Sequence, residues 1–368
     1  MYYFLLRIFL FFISSAIFCI PVEHEILYSK LNSPTAIQIL PNNAILVAER
    51  TGKLKLVSEN KTTIIHDFNK EIFTNTNSGL LDIKLDSDFK NNNILYISYS
   101  AYTDKKSKRY LGLVLAKARL KEINQFSNAP HYKLESIKIL HKIKYPIKKK
   151  HSFGGSIYVT DDHIYLSVGN RGYTRASLSS KNTLGKIIRI KKDGSIPRTN
   201  PFYFSKKFKP ETFSYGHKTI YSLGYDPFFK RLFSLETSPN NGCILNTLEP
   251  GKNYNWSLSD DKQELIAKNE NMQTKPFYWW DKSFNPSSMI VYFNKQHSFL
   301  NGDMFITSQN NMYLKWIIVK NKKIIKQHTL LQDLNLPLSS IAVGDDGSIY
   351  IATSESKNAS IMKLKFKQ

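Results

Sequence analysis

The side chains that most often bind metals or act as nucleophiles are few and scattered in this 368-residue sequence. Two cysteines, Cys19 and Cys243, are too few for a disulfide-stabilised scaffold or a cysteine-based zinc site. The nine histidines include no His-x-His pair and no His-Glu-x-x-His motif, the spacings with which zinc hydrolases commonly hold their metal. The sequence therefore argues against a conventional zinc hydrolase.

The positive charge of the chain comes mainly from lysine. Lysine and arginine total 52 against 29 acidic residues, which gives a formal net charge of +23, and only nine of the 52 are arginine. Arginine forks are the usual partners of phosphate, and export is predicted below, so we expect no nucleic-acid partner. The lysine-rich stretch 142–150 is either a solvated loop or a site for an anionic cell-envelope polymer.

The composition is that of a folded protein. Hydrophobic residues make up 42% and aromatic residues 13% of the chain, which excludes an intrinsically disordered protein. The length exceeds what one ordinary hydrophobic core supports, so the alternatives are two domains or one large repetitive β fold. Amphipathic helix patterns are scarce, which favours the β fold.

The N-terminus is apolar. It reads MYYFLLRIFLFFISSAIFCI, with Arg7 as its single charge and an eleven-residue apolar run from Ile8 to Phe18. This length fits a signal peptide and is too short to span a bilayer by itself. We expect a signal peptide at residues 1–19, one mature domain at residues 20–368, and a periplasmic or secreted protein. An N-terminal apolar strand or an uncleaved anchor is the alternative, and the sequence does not indicate the oligomeric state.

A polar turn followed by a short strand rich in β-branched and aromatic residues recurs along the chain. The six copies lie at residues 41–50, 90–100, 160–169, 228–237, 300–309 and 344–354. Copies about 45 to 75 residues apart predict an all-β, six-bladed β-propeller with one inner strand per copy. A pair of β-sandwiches with similar hairpins is the alternative. In a propeller, the long loops between copies would gather at the end faces, where ligands bind over the channel.

A series of motifs follows in order along nearly the whole predicted mature chain. They include LNSPTAIQILPNNAILVAERTGKLKLV (31–57), SGLLDIKLDSDFKNNNILYISYS (78–100), FGGSIYVTDDHIYLSVGNRG (153–172), LGKIIRIKKDGSIPRTNPF (184–202), PETFSYGHK (210–218), EPGKNYNW (249–256), PFYWWDKSFNPSSMIVY (276–292) and GDDGSIYIAT (344–353). Together these motifs resemble the soluble glucose/sorbosone dehydrogenase family, also called aldose sugar dehydrogenases. The resemblance implies a six-bladed propeller that binds pyrroloquinoline quinone and calcium. It also implies oxidation of the C1 hydroxyl of aldoses in the periplasm or outside the cell.

The resemblance assigns roles to particular residues. It makes His151 the candidate base, which would take the sugar hydroxyl proton while hydride moves to the C5 carbonyl of the quinone. By the same resemblance, the cofactor-binding residues are Asn77, Lys218 and Thr219, and the metal-binding residues are Pro239 and Asn240. The base of the family stands directly before its Gly-Gly motif segment, where this chain has Ser152, so His151 lies one residue early. Such a shift would reverse a side chain on a strand, whereas a loop can absorb it.

Several other positions depart from the family pattern. Lys218 replaces an arginine, and Asn170 replaces the carboxylate expected to orient the base. Cys243 stands in the metal-binding stretch, where both acidic side chains are missing. Pro337 and Ser339 stand where the family has two cofactor-binding arginines. Because each lost charged contact typically costs about 1–3 kcal/mol, these replacements predict weakened cofactor binding.

Turn and packing motifs are retained by contrast, as in 79–81, 226–227, 251–254 and 345–347. Glycines and turn residues set the blade geometry, so the sequence predicts an intact propeller with an eroded site. Two functions remain open. One is quinone-dependent sugar oxidation, weakened or lost. The other is a non-catalytic propeller that binds a glycan, a cell-envelope polymer or a protein, with the aromatic residues at 278–280 either stacking on sugar or packing the blades.

Overall fold

The computed structural model describes residues 22–58, 61–65, 72–102, 110–123, 131–145, 151–237, 242–254, 274–280 and 284–366. These residues form 24 β-strands in six four-stranded sheets, together with one short α-helix, α1 (Phe89–Asn92), and 3₁₀ turns at Thr174–Ser177, Ser298–Leu300 and Gln332–Leu334. In this part of the chain, no helix is long and apolar enough to cross a membrane. The predicted signal peptide at 1–19 and the lysines at 148–150 lie outside the described residues.

Each sheet is one blade, and four consecutive strands build each of the first five. Blade 1 contains β2 (Pro34–Ile39), β3 (Ile45–Glu49), β4 (Leu54–Ser58) and β5 (Lys61–Ile64). Blade 2 contains β6 (Leu80–Leu85), β7 (Ile94–Tyr102), β8 (Leu111–Ile123) and β9 (His131–Ile143). Blade 3 contains β10 (Gly154–Val159), β11 (His163–Val168), β12 (Lys186–Lys191) and β13 (Thr212–Tyr215). Blade 4 contains β14 (Ile220–Asp226), β15 (Arg231–Thr237), β16 (Cys243–Leu248) and β17 (Tyr278–Trp280). Blade 5 contains β18 (Pro286–Val291), β19 (Met304–Ser308), β20 (Tyr313–Lys320) and β21 (Lys323–Leu330).

The sixth blade joins the two ends of the described chain. It contains β22 (Leu338–Val343), β23 (Ile349–Thr353) and β24 (Ala359–Phe366), and β1 (Val22–Leu31) completes it by pairing antiparallel with β24. The first strand of every blade contacts the first strands of both neighbouring blades, so these strands form a closed ring. The prediction of a six-bladed β-propeller is confirmed, and the sandwich alternative is wrong.

The repeated sequence unit corresponds to the second strand of each blade. The six copies contain β3, most of β7, β11, β15, β19 and β23. These strands are corresponding elements, as predicted, but each lies one position outside the innermost strand. The unit is conspicuous in the sequence because second strands pack on both faces, and β3, β19 and β23 are buried over their whole length.

The hydrophobic core is divided among the six contacts between neighbouring blades. One cluster of buried side chains joins blades 1 and 2, and equivalent clusters fill the other five contacts around the ring. A blade therefore buries both of its faces, which is why its central strands read as continuous apolar runs rather than as strict alternations.

All six innermost strands carry a β-bulge near their first residue. In β2, for example, Pro34 pairs with Glu49 and Ala36 with Ala48, which leaves Thr35 as an extra residue. The same one-residue shift occurs at the start of β6, β10, β14, β18 and β22. A bulge changes the direction of the side chains beside it. Because all six bulges lie at the same end of the channel, equivalent side chains of the six blades are redirected there.

A polar side chain near each bulge forms a hydrogen bond with the backbone of a neighbouring blade, either as donor to a carbonyl or as acceptor from an amide. The six bonds are Thr35 Oγ1 to Leu80 O (3.0 Å), Ile157 N to Asp82 Oδ2 (2.8 Å), Leu223 N to Ser156 Oγ (3.0 Å), Ser222 Oγ to Met289 O (3.2 Å), Ser287 Oγ to Leu338 O (2.6 Å) and Ile37 N to Ser340 Oγ (3.2 Å). We call these the six junction bonds. Every pair of neighbouring blades has one.

Replacing Ser340 by alanine tests the junction between blades 6 and 1. The Ile37 amide would stay buried without its acceptor, and such a donor typically costs about 1–3 kcal/mol of unfolding free energy. We expect the urea unfolding midpoint to fall while the m-value is unchanged. The matched control is Ser356→Ala at an exposed turn of the same blade, with an expected change of about 0.5 kcal/mol or less. Equal stability of the two variants would contradict a role for this bond.

Candidate functional site

A cavity of about 840 Å³ lies at the end of the channel where the innermost strands begin. Residues at or next to the starts of all six innermost strands line it, and these are Pro34, Leu81, Gly154, Ile220, Pro286 and Ser339. The bulges of the six blades therefore surround one space.

Four of the six residues assigned from the sequence meet in this cavity. Asn77 lies in the loop before β6, His151 in the loop before β10, and Lys218 and Thr219 in the loop before β14. These three loops occupy equivalent positions on neighbouring blades. Pro239 and Asn240 lie outside the described residues, so the metal-binding assignment stays a prediction.

Two cationic residues of the cavity, Arg50 and Lys84, were not predicted from the sequence. Arg50 follows the second strand of blade 1, and its guanidinium makes no hydrogen bond or ion pair to the described residues. Burial lowers the pKa of Arg50, although an arginine stays charged at neutral pH. Lys84 lies on β6, two residues after Asp82 and therefore on the same side of the strand. The sequence feature that could have identified Lys84 is the pair of charges, Asp82 and Lys84, within the otherwise apolar strand β6.

Asp82 is the one carboxylate among the described residues that line the cavity. Its Oδ1 accepts from the Ile83 amide at 2.8 Å and lies 3.8 Å from Lys84 Nζ, while its Oδ2 accepts from the Ile157 amide at 2.8 Å. Burial raises the pKa of Asp82. Both oxygens are thus committed to the scaffold. Within the described ranges, no group of three His, Cys, Asp or Glu side chains could hold a metal ion.

Among the described lining residues, the cations lie on one side of the cavity. Arg50, Lys84 and Lys218 come from blades 1 to 4, whereas the described lining residues from blades 5 and 6 are uncharged. The latter are Pro286, Ser287, Ser288, Gln309, Ser339, Ser340 and Ser354. The cavity therefore offers cations on one wall and mainly hydroxyl groups on the other. Such an arrangement suits a ligand that carries negative charge at one end and hydroxyl groups at the other.

The sequence left open whether the aromatic residues 278–280 of blade 4 stack on sugar or pack the blades. Tyr278, Trp279 and Trp280 form β17, the outermost strand of blade 4, and none of them lines the cavity. Trp280 is buried between blades 4 and 5 and donates from Nε1 to Gln327, so it packs the blades. Tyr221, at the bulge of β14, lines the cavity instead and was not found from the sequence.

His151 is accessible in the cavity, and among the described residues its ring is held by its neighbour Ser152. Its Nδ1 lies 3.0 Å from Ser152 Oγ, and the side chain is exposed. Ser152 adopts a left-handed backbone conformation with φ of 53°, which shows that the chain turns here rather than continuing as a strand. The one-residue offset therefore falls in a loop, and His151 reaches the cavity. Within the described residues, no carboxylate lies within ion-pair distance of its ring.

His217 has the opposite properties. Its Nδ1 lies 3.0 Å from Glu236 Oε1 and its Nε2 lies 2.9 Å from Ser214 Oγ, which is the arrangement of a Ser-His-carboxylate triad. All three side chains are buried, however, and the Tyr254 ring stacks on the imidazole at 4.7 Å. No substrate can reach this serine, so the group is a structural network.

That network fixes the loop that carries Lys218 and Thr219. Glu236 Oε2 accepts from the Lys218 amide at 3.3 Å, and Ser177 Oγ donates to the His217 carbonyl at 2.7 Å. Lys186 is fully buried behind the loop, where its Nζ donates to the carbonyls of Ala176, Ser177 and Leu184. Burial lowers the pKa of Lys186 to about 7. The loop is thus held from behind by a polar scaffold.

Comparison with known proteins agrees with this architecture. A sequence model of the glucose/sorbosone dehydrogenase family matches residues 31–363, which is most of the chain. The chain belongs to the glucose/sorbosone dehydrogenase family. It is 24% identical over 361 residues to aldose sugar dehydrogenase YliI of Escherichia coli, covering 94% of both chains. It is 26% identical over 259 residues to quinoprotein glucose dehydrogenase B of Acinetobacter calcoaceticus, covering 64% of this chain and 52% of that one.

Solved structures share the fold of this family member. The soluble aldose sugar dehydrogenase of Escherichia coli in its apo-form superimposes with a TM-score of 0.83 at 22% identity, covering 94% of this chain and all of that one. The pyrroloquinoline-quinone-bound aldose sugar dehydrogenase of Streptomyces coelicolor gives a TM-score of 0.73 at 20% identity, covering 94% and 99% of the two chains. The predicted resemblance is confirmed at the level of family and fold.

Glu236→Ala tests whether the buried network holds the Lys218 loop. The change would remove the buried carboxylate that contacts His217 and accepts from Asn246 and the Lys218 amide. We expect a loss of about 3 kcal/mol or more of unfolding free energy, measured by urea or thermal unfolding. Glu236→Gln, which keeps one oxygen acceptor, should lose less. Glu249→Ala, at an exposed turn, is the control, and an equal loss in that variant would contradict the assignment.

Proposed function

We propose that this protein is an exported, periplasmic or secreted sugar dehydrogenase that binds pyrroloquinoline quinone weakly, so that oxidation of aldoses at C1 is weakened relative to active members. One observation carries the proposal: among the described residues that line the cavity, the cations come from blades 1 to 4, and those of blades 5 and 6 include none. The chain belongs to this family, and it is similar to a quinoprotein glucose dehydrogenase and to a pyrroloquinoline-quinone-bound aldose sugar dehydrogenase. These similarities support this class of cofactor.

The donor set of the cavity fits a planar polycarboxylate. Arg50, Lys84 and Lys218 would hold the negative charges of pyrroloquinoline quinone, and Asn77 and Thr219 would hydrogen bond to it. Arg50 has no ion-pair partner among the described residues, so a bidentate contact to a carboxylate would replace no pair seen there. When bound, the cofactor supplies the acceptor for the hydride that leaves the sugar.

His151 would act as the proton acceptor at Nε2, because its Nδ1 faces Ser152. A histidine is suited to general-base work near neutral pH. The Ser152 hydroxyl is a weaker means of orientation than a buried carboxylate. This is one physical reason to expect slow proton removal.

Weak cofactor binding follows from what the opposite wall lacks. Pro337 and Ser339 cannot provide the charged hydrogen bonds of the two arginines that the family resemblance places there, and Ser339 Oγ already donates to the carbonyls of Ala352 and Thr353. Calcium bound near Pro239 and Asn240, as the resemblance implies, stays part of the proposal. The cavity itself gives calcium little to bind, since both oxygens of Asp82 are engaged.

A second function uses the same cavity without chemistry. In this alternative, the serine-rich wall of blades 5 and 6 binds the hydroxyl groups of a glycan, while the cations bind an anionic group of a cell-envelope polymer. The observation in its favour is that hydroxyl groups outnumber charged groups around the cavity. Tyr221 would offer a ring for stacking against a sugar.

Titration of the purified protein with pyrroloquinoline quinone, with and without calcium, separates the two functions. We expect affinity at least about a hundredfold below that of an active family member, a difference of roughly 3 kcal/mol. Arg50→Gln should weaken binding by a further tenfold or so, because one charged contact is lost. Lys53→Gln, an exposed lysine three residues away that does not line the cavity, is the control. Absence of binding at any practical concentration would favour the glycan alternative.

His151→Ala tests the assignment of the base. A dye-linked assay with aldoses at the highest attainable cofactor concentration should show slow turnover that His151→Ala abolishes. Ser152→Ala should keep part of that turnover, because it removes orientation and not the base. Tight cofactor binding combined with rapid turnover would contradict the proposed weakening, and turnover that survives His151→Ala would contradict the role of this histidine.

A further inference from the structure

The end of the propeller opposite the cavity presents exposed phenylalanines. Each innermost strand runs away from the cavity and its neighbours alternate in direction, so the first-to-second and third-to-fourth connections of a blade meet at the far end. Three consecutive blades expose a phenylalanine there. Phe204 lies in the third connection of blade 3, Phe228 in the first connection of blade 4, and Phe299 in the first connection of blade 5. Phe204 and Phe228 are 77% and 76% exposed, more than any other large hydrophobic residue described.

Rigid loops hold these side chains outward. Around Phe204, the rings of Phe202 and Phe208 stack at 4.2 Å, and Ser205 Oγ accepts from the amides of Lys207 and Phe208. The base of the same loop is fixed by Arg189 Nε, which donates to Asn200 Oδ1 at 2.6 Å.

The turn beside Phe228 is fixed in a similar way. Asp226 accepts from the Phe229 amide and from Arg231, both at 3.0 Å. The exposure of Phe204 and Phe228 is therefore imposed by the fold, and exposed apolar groups on a fixed frame mark an interaction surface.

Basic residues surround these phenylalanines. The connections 192–211, 227–230, 292–303 and 321–322 contain eight lysines and arginines against three carboxylates, of which Glu211 and Asp303 are buried. The Lys322 ammonium lies 5.0 Å from the Phe229 ring, and the Arg198 guanidinium lies 6.0 Å from the Phe204 ring. At the same end, the connection 249–277 of blade 4 contributes Glu249, Lys252 and Lys275 among its described residues, and other turns carry Asp161 and Asp162 on blade 3 and Asp345 and Asp346 on blade 6. We name the surface formed by these four connections the phenylalanine face.

We propose that the phenylalanine face docks the protein on the surface of an anionic lipid bilayer. Phe204 and Phe228 enter the headgroup region, while Lys206, Lys207 and Lys230 approach lipid phosphates. A combination of exposed aromatic rings and lysines is what an anionic membrane interface attracts, through burial of apolar area and through Coulomb attraction. The inference is independent of the proposed activity.

Docking in this orientation has a consequence for the cavity. The face and the cavity lie at opposite ends of the propeller, so a docked molecule would hold its cavity away from the bilayer and open to solutes. Binding to the membrane would concentrate the protein at a surface without blocking the candidate site.

Vesicle flotation at physiological salt tests the proposal with the full-length protein. We expect flotation with vesicles of equimolar phosphatidylcholine and phosphatidylglycerol, and little with phosphatidylcholine alone. The double variant Phe204→Ala/Phe228→Ala should reduce the partition coefficient about tenfold or more. Its control is Ile26→Ala/Ile325→Ala, which removes two residues of 57% and 56% exposure from the outermost strands of blades 6 and 5.

Charge reversal supplies the second arm. Lys206→Glu/Lys207→Glu should also reduce partitioning about tenfold or more, since each basic group near an anionic surface contributes about fivefold. Lys53→Glu/Lys357→Glu, two exposed lysines at turns on the cavity end, should not. Tryptophan at position 204, from Phe204→Trp, should be quenched by brominated lipid in anionic vesicles.

Three outcomes would overturn the proposal. They are absence of flotation of the unaltered protein with anionic vesicles, equal losses in the control variants, and full partitioning of Phe204→Ala/Phe228→Ala. A loss on lysine reversal alone, together with equally tight binding to a soluble polyanion, would assign the face to an anionic polymer instead.

Discussion

The propeller depends on the six junction bonds between its innermost strands. An innermost strand has no further strand on its channel side, so its backbone groups need other partners. Serine, threonine and aspartate side chains beside the bulges provide them, and each bond also ties one blade to the next. Hydrophobic contact holds neighbouring blades together without fixing their rotation, because apolar packing is not directional. The junction bonds supply that direction at every interface.

This dependence limits what the cavity can change. Thr35, Ser156 and Ser287 line the cavity and also form junction bonds, so replacing them alters the ring as well as the site. Arg50 and Lys218 take no part in the junctions and lie on connections. Charged ligand contacts are therefore carried by positions that can vary without opening the ring. A family member can therefore keep the whole propeller while the charges on its connections change.

The sequence predicted the number of blades because the second strands, buried on both faces, form recurrent apolar runs. It missed the innermost strands, since a bulge and a junction residue interrupt the pattern of each, as in β2 and β22. The residues of the candidate site were likewise predicted only in part. Asn77, His151 and Lys218 were found from motifs, and their meeting in one cavity follows from three equivalent loops. Arg50 was missed because its position depends on which end of the second strand faces the cavity.

His217 and His151 differ in access to the cavity and in the groups that orient their rings. His217 has a carboxylate and a hydroxyl in line, but it is sealed under Tyr254 and serves the loop of Lys218. His151 reaches the cavity, but in the described part of the chain Ser152 alone holds its ring. The family resemblance implies a carboxylate at position 170 to orient the base, and the chain has there an asparagine that accepts from the Gly172 amide. The amide side chain keeps the turn that follows β11 and cannot carry the charge that stabilises an imidazolium. The turn has thus been preserved for the fold, while the charge that would assist a base is absent.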